Sequence, residues 1–538
     1  MVSSRVISLT ISPSLDERRR EEEERSRFFT YLLMQWGQFL AHDLSLTAIS
    51  RSDSGESLTC CGSQFDADPR LLHPSCFPIS IPSNDRFYSQ FGNEASTCMS
   101  FIRSSPAPRI NCALGVREQM NQLSSFIDGG MIYGSSKSSS DALRSFIGGQ
   151  LASSNIHGQQ FLPVSTSSCG IPRTRNLKCF KAGDGRVNVQ ANLVAMHALF
   201  LREHNLIAKE LARLNPTWSD EAIFQESRRM LIAILQHITY NEYLPIILGK
   251  KIMNVFNLKV TKNGGFSPNY DPSIDPGIIN SFAAAAYRMH TLIPKKISFE
   301  DANGTPKGRL DISETYLNPS VIYDDSSFGN LVNGMASDSC SKFDPAHTDQ
   351  VTNHMFRPAN GKFGVDLLAL NIQRGRDHGL PSYNRWRQVC NLRTFDSFDA
   401  MSSSMKSGIV ESLKSLYASP EDIDLYVGGV SEEPLRGSLV GPTFACILGE
   451  QFRRIKHGDR FWYENGPNLV HSFTPAQLAA IKNVTLARIL CDAGPETLTM
   501  QPFSFILPND SWNARTDCND DKIPKIDFSP WIGEPVVN

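Results

Sequence analysis

A glutamine, a histidine and an aspartate fall within one short stretch of the chain, GQFLAHDL, as Gln38, His42 and Asp43. Gln38 precedes His42 by one helical turn, so an amide and an imidazole share one helix face and can line one pocket. A histidine ending an apolar helix is ordinarily a core or capping residue. The amide beside it on the same face raises the functional reading of this one. Asp43 points elsewhere and is free to bind a cation. A second oxygen-rich segment, SSFIDGG, offers Ser124, Asp128 and backbone carbonyls that could complete a calcium site with Asp43. His290 stands in AAAAYRMHTLIP, where small residues upstream let something flat lie close to the chain. Asn371, in LLALNIQRGRDHGLP, is a polar residue in an apolar run, and a buried amide needs a partner. The ring N–H of a metal-ligating histidine would serve. His197 and His204 lie seven apart on one helix, about 10 Å along its axis, too far to chelate one metal. Packing and hydrogen bonding within the bundle is their reading.

Helices must position most of these groups. Phe28, Leu32, Trp36, Phe39 and Leu40 recur at helical spacing, which predicts a buried helix ending near His42 and Asp43. Residues 192–215 form a strong amphipathic pattern, QESRRMLIAILQHITYNEYLP supplies another, and further helices are predicted around 278–293, 365–373, 405–417 and 475–490. Residues 50–118, rich in Ser, Pro, Gly and Cys, read as loops held by disulfides. Alternating strand patterns are scarce and no repeat shows. The expected fold is mainly α, a single large helical domain over 28–538 with long disulfide-bridged loops and little β-structure. A charged N-terminal tail over 1–27, carrying DERRREEEERSR, precedes it.

The balance of 53 Lys and Arg against 55 Asp and Glu, a net charge of −2, argues against nucleic acid as a partner. A chain of 538 residues can hide most of its surface and enclose a cofactor. Twelve cysteines without a CxxC pair or a Cys/His quartet at zinc spacing point to disulfides in an oxidising compartment rather than structural zinc. Sequons at Asn303, Asn483 and Asn509 agree with secretion. No apolar run is long enough for a transmembrane segment. The first residues lack the apolar core of a signal peptide, so either the protein is not secreted or its beginning lies upstream of Met1.

MQWGQFLAHD, SSFIDGGMIYGSS, AGDGRVN followed by MHALFLREHN, YRMHTLI, and LNIQRGRDHGLPSYNRWR occur in this order. Together they resemble the animal haem peroxidase family, from about Thr30 to Trp531. The resemblance implies haem b, hydrogen peroxide as oxidant, a ferryl intermediate, and phenolic or tyrosyl donors, with halides as a second donor class. It assigns His42 as the distal acid and base, Arg186 as the distal arginine, and Gln38 as the amide beside the distal water or halide. His290 becomes the axial iron ligand, oriented by Asn371, and Arg374 a basic residue near a haem propionate. Asp43, Ser124, the Phe126 carbonyl and Asp128 match the family's calcium loop. An extracellular setting follows, with extracellular-matrix proteins as expected partners.

This sequence departs from the family pattern in four places. The carboxylates that many members esterify to haem are replaced by Ala41 and Val189, which implies non-covalent haem. Gly130 stands where a calcium-ligating hydroxyl is usual, which implies weaker calcium binding. The run Tyr287-Arg288-Met289-His290 is one residue short, which rotates one side of a helix by about 100° unless a bulge or local unwinding absorbs it. The family-type disulfides would be Cys61–Cys76, Cys98–Cys112, Cys169–Cys179, Cys390–Cys446 and Cys491–Cys518, with Cys60 and Cys340 left over. The spare Cys60 and the missing signal peptide suggest a truncated start. The departures keep an alternative open: a catalytically weak peroxidase-like module serving matrix or protein interaction. A fatty-acid oxygenase would need a catalytic tyrosine and a lipid channel, for which no signature is present.

Overall fold

The computed structural model describes residues 2–12 and 25–534, apart from 63, 66–67, 95, 114, 166–168, 170–177, 263, 468 and 470. Its first helix, Ser4–Ile11 (α1), is capped by Ser3, whose side chain accepts from the Arg5 amide, and buries Ile7 and Ile11. This corrects the expectation of a tail over 1–27: the apolar residues spaced along RVISLTI make a helix of the core. Most of the charged run, residues 16–24, lies outside the described residues.

Strand β1 (Arg25–Thr30) leads into α2 (Tyr31–Leu44), which carries Gln38, His42 and Asp43. Phe28, expected on the buried face of that helix, belongs to the strand and is 68% exposed. The central helix, α3 (Ala191–Leu214), is buried over most of its length, as a helix apolar on nearly every side must be. Phe39 of α2 stacks on Phe200 of α3 with ring centroids 5.1 Å apart, and α4 (Asp220–Ile238) also packs against α3. His204 of α3 bridges Tyr133 Oη and the Gly149 carbonyl, each at 2.9 Å, the structural role expected for it.

Helix α5 (Leu367–Asp377) carries Asn371 and Arg374, and the short α6 (Leu425–Ser431) packs beside it. The stretch 278–293, expected as a helix, forms instead a π turn over Phe282–Ala286 and a 3₁₀ turn over His290–Leu292. The predicted helix at 475–490 is two helices, Pro475–Lys482 and Leu486–Ala493. Sheets among the described residues are two-stranded and antiparallel.

Disulfides join Cys169–Cys179, Cys390–Cys446 and Cys491–Cys518 as expected. The other two pairings are corrected: Cys60 joins Cys76, and Cys61 joins Cys98. Cys60 is buried and Cys61 half-buried. Neighbouring residues project in different directions, and spacing alone does not say which of two adjacent thiols meets which partner. Cys112 (exposed) and Cys340 (buried) remain free, so Cys60 is not a leftover.

Candidate functional site

His42 lies in the last turn of α2, buried, with Nδ1 lacking a protein partner and 3.9 Å from Asp184 Oδ1. Burial, reinforced by the positive charge of Arg186, outweighs the Asp184 carboxylate and holds the His42 pKa well below its ordinary value. The imidazole is therefore neutral and can take a proton. Arg186 sits on a 3₁₀ turn, Gly185–Val189, that Asp184 caps by accepting from the Arg186 amide. Its guanidinium donates to both Asp184 oxygens, each at 2.8 Å, and to the Ser45 carbonyl at 3.0 Å. This bidentate pair pins Arg186 against the end of α2, next to His42. Gln38 is held in turn by Gln190, whose Nε2 donates to Gln35 Oε1 at 2.6 Å and to Gln38 Oε1 at 3.0 Å.

The segment that is one residue short ends in His290. A π turn precedes it and a 3₁₀ turn begins at it, with the chain between them leaving helical geometry. Asn371 Nδ2 lies 2.8 Å from His290 Nδ1. Arg288 donates to Asn371 Oδ1 at 3.0 Å and to the Ala283 carbonyl at 2.9 Å, so the guanidinium holds the Asn371 side chain beside the imidazole. Burial first, then Arg288, depresses His290 to about 3, leaving it neutral. Burial and the nearby charges of Arg374 and Arg186 lower Arg288 to about 10. Arg186 and Arg374 thus lie near enough to Arg288 to act on its charge. Arg186 and Arg374 have carboxylate partners in Asp184 and Asp377; among the described residues, Arg288 has none.

Asp43 points from α2 into the SSFIDGG loop. Its Oδ2 accepts from the Gly129 amide at 3.1 Å, while Oδ1 is buried with no partner. Asp128 accepts from Ser124 Oγ at 2.8 Å and from the Gly130 amide at 3.1 Å. The Phe126 amide donates to Ser124 Oγ at 3.4 Å, which folds the loop back on itself. A Cβ at Gly130 would lie 3.2 Å from Asp128 Oδ1 and 3.3 Å from Asp43 Oδ1, so the two carboxylates converge. Burial, then the neighbouring Asp128, pushes Asp43 well above the ordinary carboxylate range.

These observations fit haem: two neutral imidazoles, one with an orphaned nitrogen and one steadied by an amide, and a group of arginines suited to propionates. Ala41 and Val189, beside His42 and three residues after Arg186, carry no carboxylate to esterify. The orphaned Asp43 oxygen facing Asp128 fits a hard cation. The sequence pointed to Gln38, His42, Arg186, His290 and Asn371 but not to the residues that hold them, Asp184, Gln35 and Gln190, nor to the Arg288 contact.

The frame is helical, with His42 set beside Arg186 and His290 beside Asn371 and Arg288. The family model described as animal haem peroxidase matches residues 1–505, and the chain belongs to that family. It is 36% identical to the chorion peroxidase of Drosophila melanogaster, over 99% of this chain and 64% of that one. It is 34% identical to the lactoperoxidase of Mesocricetus auratus, over 95% of this chain and 71% of that one. The structure of peroxidase A from Dictyostelium discoideum superposes with a TM-score of 0.76 at 29% identity, covering 94% of this chain and 91% of that one. A rice fatty acid alpha-dioxygenase shares the fold at a TM-score of 0.68 and 19% identity. The chain spans about two thirds of the chorion peroxidase and 34% of the mouse peroxidasin homolog.

Proposed function

We propose that this chain is an extracellular haem peroxidase that reduces hydrogen peroxide and oxidises phenolic and tyrosyl donors. The observation that carries the reading is the neutral, orphaned His42 beside an Arg186 anchored by Asp184. His290, Arg288 and Arg374 would hold the haem, which would supply the redox chemistry toward peroxide. His42 takes a proton from the bound peroxide and returns it to the departing oxygen. Arg186 offers fixed positive charge where negative charge develops. Gln38 holds the small molecule beside His42. His290 would ligate the iron, with Asn371 and Arg288 setting its orientation and electron density. Arg374 and Arg288 would face the propionates.

Purified protein loaded with haem should show a Soret band and peroxide-dependent oxidation of tyramine. A protein that binds no haem overturns the proposal and favours the alternative of a matrix or protein-interaction module, the reading that Ala41 and Val189 support. In the loaded enzyme, acid-butanone should extract all the haem, because neither residue can form an ester. Haem that stays with the chain overturns that expectation. Asn303, Asn483 and Asn509 are all exposed, as glycosylation in a secretory route requires. No helix among the described residues is long and apolar enough to cross a membrane.

Asp43, Ser124, the Phe126 carbonyl and Asp128 would hold Ca²⁺, tying α2 to the loop. At Gly130 a side-chain oxygen would enter between the two carboxylates, so Gly130→Ser should tighten calcium binding about tenfold, read by titration against a chelating dye. Unchanged or weaker binding would place the cation elsewhere.

A further inference from the structure

Behind Asn371 the structure carries a tyrosine that the mechanism above does not use. Tyr426, on α6, is 2% exposed. Its Oη lies 3.1 Å from His347 Nε2, and its helix packs beside α5, which carries Asn371. His347 Nδ1 is 2.9 Å from the Pro345 carbonyl. A carbonyl only accepts, so Nδ1 carries the ring hydrogen and Nε2 presents its lone pair to the phenol. Burial depresses His347 to about 4, which keeps that lone pair free. Two hydrogen-bonded pairs, His290 with Asn371 and Tyr426 with His347, thus stand on the packed helices α5 and α6 and the segments against them.

Tyr426 also lines a cavity of about 240 Å³ shared by Ala285, Ile372, Leu380, Leu425 and Asp422. The cavity runs from exposed Asp422 to Ala285, Ile372 and Tyr426, each buried. Below the usual size of a drug-like pocket, it suits one aromatic ring, with Arg376, Ser382 and Asp424 also on its walls.

We propose that Tyr426 is a redox-active residue through which phenolic side chains too bulky to reach the haem are oxidised at this outer cavity. The inference rests on the peroxidase reading, since peroxide supplies the oxidising equivalents. Tyr426 gives one electron through Asn371 and His290 toward the haem, and its phenolic proton passes to His347 Nε2, leaving a tyrosyl radical and an imidazolium. A phenol in the cavity then gives one electron to the radical, and His347 returns its proton to the Tyr426 oxygen. The donor's own proton leaves to water at the mouth, and the donor departs as a phenoxyl radical that can couple with another.

The haem-loaded enzyme, freeze-quenched with stoichiometric peroxide, should give a tyrosyl electron paramagnetic resonance signal that narrows when the protein is made with ring-deuterated tyrosine. In Tyr426→Phe the signal should disappear. The kcat/KM for dextran-linked tyramine, relative to that for free tyramine, should fall about tenfold or more. Independently of any variant, a nitroso spin trap added to the unsubstituted enzyme should be found on the peptide containing Tyr426. A trap found only on other residues, or an unchanged signal in Tyr426→Phe, overturns the inference while the peroxidase reading stands. No peroxide-dependent oxidation of free tyramine overturns both.

Discussion

His42→Ala should slow the reaction with hydrogen peroxide by roughly 10²–10⁴-fold, the usual weight of a positioned acid and base, while the Soret band of the loaded protein persists. No neighbour can substitute. Gln38 carries no titratable proton and is tied by Gln190. Asp184 has both oxygens engaged by Arg186. His197 is buried with both ring nitrogens unpartnered, its ring against Phe39 at 5.0 Å. Arg186 should keep its place in the variant, because Asp184 and the Ser45 carbonyl hold it without help from the imidazole. Its charge, and the iron's, therefore account for the residual rate. Because the His42 pKa is held well below its ordinary value, the wild-type rate constant should be flat through neutral pH and fall only in acid, as the imidazole becomes protonated. Stopped-flow mixing with peroxide across pH measures both effects. A loss under about tenfold in His42→Ala would assign the proton transfer to another group.

What could be read from residues alone, and what could not, divides along a physical line. The spacing of Gln38 and His42 and the isolation of Asn371 in an apolar run are local signals, and the structure keeps them: Gln38 and His42 share a helix face, and Asn371 meets His290 at 2.8 Å. The groups that hold them come from elsewhere in the chain. Gln190 reaches Gln35 across 155 positions, a separation with no periodic trace. The shortened Tyr287–His290 run announced that something must give, but only the backbone shows a π turn before it and a 3₁₀ turn beginning at His290, with Arg288 on Asn371. Asp184 did have a signal. It lies two residues before Arg186 in AGDGR, at the cap position of a turn, where aspartate is favoured. The N-terminal segment misled because a dense charged run at 16–27 dominated the reading of the short apolar pattern before it.

That N-terminal helix supports the second large effect. Arg5→Leu should destabilise the fold by about 3–5 kcal/mol, the range for removing one partner of a buried ion pair. Arg5 is fully buried, and its five N–H groups are all spent. They go to Asp85 at 2.8 and 3.3 Å, Asp366 at 2.7 Å, the Thr352 carbonyl at 2.8 Å and Asn353 Oδ1 at 3.1 Å. Leucine would leave two carboxylates in the interior with no counter-charge. Asp366 is also the cap of α5, accepting from the Ala369 amide at 3.0 Å, and α5 carries Asn371. Ser4 Oγ donates to Gln373 Oε1 on the same helix at 2.7 Å. Loosening α1 therefore releases the start of the helix that steadies His290, so haem affinity should fall along with stability. Adding Asp85→Asn and Asp366→Asn to Arg5→Leu should restore part of the loss, since asparagine still caps a helix and strands no charge. Urea unfolding of the three proteins, with disulfides intact, measures the stability, and haem titration of the same samples measures the coupling. An Arg5→Leu midpoint within about 1 kcal/mol of wild type would mean that water reaches the two carboxylates and that α1 does not hold α5 in place.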